Sequence, residues 1–272
     1  MELRKLREGR ELTSEAAAAE MGWHPSKMSR LEGGRSGLRG PDVGRLLDLY
    51  GISDAGEREA LADLAREGRR RVWWQPYNDV LAKHYASFIS FEVEASAIRN
   101  YQVSAVPGLL QTADYARVLT RSSNPEYSPE DVNALVEVRL ARQNAAWERE
   151  EPLKLWAILD EAVVHRAVGG PAAMAKQLQR LIAASEMPNI TLQILPFTAG
   201  AHAGMPAPFL ILGFPVRDDL DVVYLESHTS SLYLEREEDL EHYGRAFDLM
   251  RAAALDIGPS RDLMARLVRK LD

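Results

Sequence analysis

The chain has 272 residues, 46% of them hydrophobic and 27% charged, with a formal net charge of −7 at pH 7 and no cysteine. This length and apolar content allow more than one packed core and argue against a disordered chain, while the missing thiols exclude a disulfide framework and a thiolate metal centre. No run of about 18 apolar residues offers a membrane-spanning helix, and the start Met1-Glu2-Leu3-Arg4-Lys5 lacks the apolar stretch of a signal peptide, so a cytoplasmic location away from membranes is expected.

Leu3 and Leu6 predict a short leading helix. Thr13 or Ser14 can cap a second helix running through Met21, and Gly22 can stop it in the left-handed conformation that only glycine adopts without strain. Pro25 restarts the chain as a first helical residue, Met28 and Leu31 form the buried side of a third helix ending at Glu32, and Gly33-Gly34 follow. Two short helices that cross steeply over a tight turn need small residues where their backbones approach, and Ala18 and Gly22 stand there. Pro41 to Tyr50 reads as a fourth helix with Val43, Leu46, Leu47 and Tyr50 on one face, and Asp54 to Gly68 as a fifth with Leu61 and Leu64 inward. An all-α five-helix domain over residues 1–71 results. Arg69-Arg70-Arg71 and then Trp73-Trp74-Gln75-Pro76 mark its junction with a second domain at 72–272.

In helix-turn-helix units the N-terminal half of the second helix enters the major groove. Ser26, Lys27, Ser29 and Arg30 are therefore the expected base readers, Arg30 as a bidentate donor to guanine. Arg35 and Arg39 are placed for phosphates, and Ser14 and His24 complete the expected DNA-contacting set. Residues 1–72 hold 14 Lys and Arg against 13 Asp and Glu, so the acidic excess lies in the remainder. Weak nonspecific affinity is expected, which a dimer on a palindrome would offset.

Beyond residue 77 helix and strand signals mix. Helices are expected over Asp79–Ala95, Thr112–Leu119, Pro129–Glu150, Pro171–Ser185, Asp239–Ala254 and Ser260–Leu271. Strands are expected over Ala97–Val103, Leu153–Leu159, Ile190–Leu195, Phe209–Phe214, Val222–Leu225 and Leu232–Leu234. On the long helix Val132, Leu135, Val136 and Leu140 should face inward and Arg139, Arg142 and Arg149 outward. A single α+β domain with a mixed sheet fits this order. Asp160, Glu161 and His165 would approach one another where a strand runs into a helix, yet no His-Glu-x-x-His pattern, nucleophile elbow or phosphate-binding glycine loop occurs. No catalytic residue, metal or cofactor is expected, and the chain is read as a non-enzyme. The loop Gly200-Ala201-His202-Ala203-Gly204-Met205-Pro206 reads as flexible and fit to dock a ligand or partner chain. Gln111, His165, His202, Met205 and His228 are the expected ligand- or partner-binding residues.

The run Leu3-Arg4-Lys5-Leu6-Arg7-Glu8, then Leu12-Thr13, Met21-Gly22 and Met28 to Arg35, resembles the Xre-type (phage-repressor-like) helix-turn-helix domain. Ser14 stands where that family commonly has a phosphate-clamping Gln. Ala17 replaces a larger aliphatic residue, and the bulky Trp23 can refill its space. Asn100-Tyr101, Val106 to Thr112, Leu159 to Ala162, Ile194-Leu195-Pro196, Gly200 to Met205, Val222 to Glu226 and Leu232 to Glu235 resemble the antitoxin-like C-terminal domain, of no assured activity, behind Xre-type heads in actinobacterial WhiJ-like regulators. The resemblance implies a DNA-binding transcription regulator, a homodimer on a palindromic operator, with a small partner protein encoded nearby or a ligand sensed by the C-terminal domain. An antitoxin that mainly masks a small partner, or an enzyme domain tethered to DNA, is the alternative.

Overall fold

The computed structural model describes residues 2–23, 25–32, 40–56, 58–59, 61–62, 81, 83–214, 221–227 and 230–271. The chain divides into two compact units, residues 1–78 and 79–272. The junction expected at 71/72, with its arginine triplet and tryptophan pair, falls in residues 63–80, outside the described ones, as does Leu64.

In the first unit α1 (Glu2–Glu8), α2 (Ser14–Met21), α3 (Pro25–Glu32) and α4 (Gly40–Leu49) are followed by helical residues within 55–62, α5. Thr13 is the N-cap of α2, its hydroxyl accepting from the Ala16 N–H at 3.1 Å. Gly22 ends the helix at φ 67°, ψ 33°. Ala17 and Ala18 are fully buried, so α3 can pack closely on α2 around Met21, Met28, Leu31, Leu46, Leu47 and Tyr50. Trp23 is half-buried against this core. Gly51, at φ +67°, leaves room for the Arg10 guanidinium, whose Nε donates to the Tyr50 carbonyl at 2.6 Å.

The second unit is a six-stranded mixed sheet between helical layers. Parallel β1 (Ala97–Gln102), β2 (Lys154–Asp160) and β3 (Ile190–Leu195) are joined to antiparallel β4 (Phe209–Gly213), β5 (Val222–Glu226) and β6 (Ser231–Leu234) in the order β3-β2-β1-β4-β5-β6. Its helices are α6 (Lys83–Glu94), α7 (Ala113–Ser123), α8 (Pro129–Trp147), α9 (Glu161–His165), α10 (Pro171–Ala184), α11 (Glu237–Ala253) and α12 (Ile257–Leu271). Alternation splits each strand between two cores. Ile98, Leu155, Ala157, Leu192 and Leu212 pack with Phe88 of α6, Leu178 of α10 and Met264 of α12, whereas Tyr101, Ile158, Phe209 and Val223 pack with Phe247 and Met250 of α11. The edge of β3 is covered by the α11–α12 link. Leu255 N–H donates to the Ile194 carbonyl at 2.8 Å, and the buried Ser260 hydroxyl accepts from the Ile194 N–H at 2.9 Å, which satisfies both edge groups of Ile194.

The long helix departs from its expected facing. Val132 and Val136 are buried as expected, but Arg142 and Gln143 are buried too, and Leu140 is exposed. The reason is Glu92 on α6, buried opposite α8, whose Oε1 lies 2.8 Å from Arg142 Nε. Arg149 is only half-buried and donates to the Val93 and Ala95 carbonyls at 3.2 and 2.8 Å. The inward side of α8 is therefore partly polar, and charge alone misplaces it.

Candidate nucleic-acid interface

The residues of α3 are held from below. Met28 and Leu31 point into the core, and Glu32 closes the helix by a bidentate pair with Arg7 of α1, Nε–Oε1 2.6 Å and Nη2–Oε2 3.0 Å. Arg7 also donates to the Leu12 carbonyl, and the Tyr50 hydroxyl lies 3.5 Å from both Glu32 Oε1 and Met28 Sδ. Both charged residues are buried, at 8% and 6% exposure. Burial and the adjacent Glu32 push the Tyr50 phenol far above its ordinary range, so it stays a donor to that carboxylate. This clamp fixes α3 to α1 and α4 at once. It was not foreseen from sequence, because Arg7 and Glu32 are 25 residues apart and nothing in either's surroundings signals the other.

At 100° per residue, with Met28 and Leu31 inward, position 26 falls on the opposite side of α3, positions 29 and 30 are turned equally away from the core, and 27 lies on a flank. Ser26, Ser29 and Arg30 lie within α3. Lys27 is 41% exposed, with Nζ 3.7 Å above the Trp23 ring and 3.6 Å from Asp42 Oδ2. The contact sets Lys27 along the start of α3 and gives Trp23 a surface role beside its packing role. Ser14 is the first residue of α2 and partly exposed. His24, Arg35 and Arg39 lie outside the described residues.

The expected ligand residues of the second unit do not form one site. Gln111 is buried, its Nε2 donating to the Val106 carbonyl at 2.6 Å and its Oε1 accepting from Arg139. With Gln143 donating to the Gly108 and Gln111 carbonyls and Gln177 to that of Leu110, it makes the 106–112 segment a hydrogen-bonded strut capped into α7 by Thr112. His165 and His202 meet two carboxylates at the end of β2. His165 Nε2 is 3.1 Å from Glu161 Oε1 and stacks on the exposed Phe197 ring, and Glu161 Oε2 accepts from the Phe197 N–H at 2.8 Å. Asp160 caps α9 through the Ala162 N–H and lies 3.9 Å from His202 Nε2. His202 Nδ1 accepts from the Gly204 N–H at 3.2 Å, which leaves its proton on the Nε2 that faces Asp160. These bonds fasten turns, and among the described residues no group of His, Cys, Asp and Glu is arranged to hold a metal ion. Met205 is 67% exposed and His228 lies outside the described residues.

The loop expected to be flexible is exposed at most of its residues but anchored at Gly204, which is buried. A Cβ at Gly204 would fall inside contact distance of Met250 Sδ and the buried Tyr101 ring. Gly204→Ala is expected to cost about 1–3 kcal/mol by overpacking. A thermal melt of the full chain checks this, and an unchanged melting temperature would place the loop away from Tyr101.

Residues 1–61 match a helix-turn-helix domain family, and residues 85–266 match a domain of unknown function, DUF5753. No curated protein and no solved structure matches the chain. Among the described residues no helix is long and apolar enough to cross a membrane.

Proposed function

We propose that this chain, which belongs to the DUF5753 family and carries a helix-turn-helix domain, is a sequence-specific DNA-binding transcription regulator of Xre type. The observation that carries the proposal is that Arg7 and Tyr50 fix Glu32, and with it α3, the helix that bears Ser26 and Arg30. A helix fixed to its neighbours on both sides keeps its residues in register with base edges, which is what discrimination requires. In this proposal the protein is cytoplasmic, works as a homodimer on a palindromic site, and uses its second unit to dimerise and to receive a small protein or ligand. That unit is assigned no catalysis. The actinobacterial WhiJ-like resemblance supports the same assignment.

Selection of binding sites by the full chain from a randomised duplex pool, followed by titration at several salt concentrations, tests it. A defined consensus is expected, with affinity falling as salt rises. Arg30→Ala should lose about 1–3 kcal/mol of discrimination at one base pair, while Arg35→Ala should weaken all sequences alike and reduce the salt slope by about 1. A pool that shows no enrichment overturns the proposal.

A further inference from the structure

Beside β1, β4 and β5 a crevice is walled by Asn100, Gln102, Leu210 and Tyr224 and by the segment from Ala105 to Leu109. Here the crevice holds an inner chamber of about 190 Å³ and an adjoining vestibule of about 550 Å³, which share Tyr85, Gln102, Arg139, Tyr224 and Glu226 as walls. The vestibule is of ordinary small-ligand size.

Its polar groups are not all matched within the protein. Arg142 is neutralised by Glu92, donates to the Tyr85 hydroxyl, and is wedged against Gly108, where a Cβ would stand 2.6 Å from its Nη2. Arg139 is different. One Nη donates to Gln111 Oε1, its Nε is shut from solvent with no acceptor, and among the described residues no carboxylate comes within ion-pairing distance. Asn100 is 5% exposed and its Oδ1 accepts from Gln102 at 3.0 Å, but its Nδ2 donates to nothing among the described residues. Thr120, 6% exposed on the vestibule wall, has an unpartnered hydroxyl. Among the charged walls Glu92 answers Arg142, which leaves Arg139 and Glu226 as the other charged residues lining the chambers. Leu119, Leu210 and Phe88 supply apolar wall.

We propose that this cavity binds a small organic carboxylate with an apolar body, its carboxylate set against the Arg139 guanidinium. A guanidinium fork matches a carboxylate in plane, and a half-buried cation with no carboxylate beside it calls for an anion. Glu226, a wall of both chambers, disfavours a dianion such as a phosphate ester more than a monoanion. Gln111 acts as a positioning residue that ties Arg139 to the 106–112 strut. The site deepens the regulator proposal and rests on it only for the consequence that occupancy alters DNA affinity.

The test is calorimetric titration of the full chain, without DNA, with benzoate, 4-hydroxyphenylacetate and hexanoate, and with 4-hydroxyphenylacetamide and phenyl phosphate as controls. At least one carboxylate is expected to bind saturably. Arg139→Gln should weaken it by about tenfold or more, and Leu119→Trp, which fills the chamber, should abolish it while the chain keeps its cooperative melt. No saturable binding by any of the three at millimolar concentration overturns the proposal. So does equal binding of phenyl phosphate or of the amide, or unchanged binding by Arg139→Gln. Because these titrations contain no DNA, failure here leaves the regulator proposal standing, and failure of operator selection leaves the cavity intact.

Discussion

Glu32→Ala is expected to melt the helix-turn-helix unit while leaving the second unit folded. The substitution leaves the buried Arg7 guanidinium with the Leu12 carbonyl and, 3.9 Å away, the exposed Glu8 carboxylate, and it removes the acceptor beside the Tyr50 hydroxyl. Breaking one side of a buried ion pair costs about 3–5 kcal/mol, most of it the penalty of an uncompensated charge. In a unit of this size that lowers the melting temperature by roughly 12 °C or more. Arg7→Ala should cost a similar amount. Replacing both by Leu should recover much of the loss, because no charge then remains buried, although α3 would lose its bidentate register and with it part of its base discrimination. Calorimetry of the full chain, with the unchanged transition assigned to residues 79–272, separates the two units. A loss below about 1 kcal/mol for Glu32→Ala would show that water reaches the pair and screens it.

What the sequence carried was local chemistry. Gly22 and Pro25 mark the turn because one tolerates positive φ and the other cannot continue an existing helix, so the order of α2 and α3 could be read from neighbouring residues. The strands followed from alternation, and β1 to β6 stand within a residue or two of their expected places. The sheet order did not follow, since alternation says nothing about which strand lies beside which. The same limit hid the groups that matter most in both units. Glu32 finds Arg7 and Arg142 finds Glu92 only when distant helices pack, and each charged residue, taken alone, reads as a solvated surface. Gln111 was singled out, yet its amide serves Val106 and Arg139 within the protein, and the arginine beside it, expected outside, lines the cavity. Gly204 was correctly placed in a loop, but its closeness to Tyr101 depends on a strand about a hundred residues upstream.

Arg142→Met is expected to destabilise the second unit by about 3–5 kcal/mol near neutral pH and to make that loss depend on pH. Burial pushes the Glu92 carboxyl above its ordinary value, against the pull of Arg142 first and of Arg149 and Arg139 after it. Removing Arg142 takes away the largest of those attractions, so the folded-state value rises further. For an acid whose folded value lies above its unfolded value, the favourable contribution is fully present below the unfolded value and is lost as pH rises through the folded one. The variant should therefore recover stability toward acid, where a protonated Glu92 can stay buried, and lose it as pH rises and the fold must either keep a bare carboxylate or expel it. Titrations shared with the wild type cancel when the two profiles are subtracted. Adding Glu92→Gln should flatten the difference, because an amide of the same shape can remain against α8 uncharged. The check is melting temperature against pH for wild type, Arg142→Met and the double variant. Parallel profiles for the first two would mean that Glu92 turns out to solvent once its partner is gone, and that the polar side of α8 is held by the 106–112 strut and its glutamines alone.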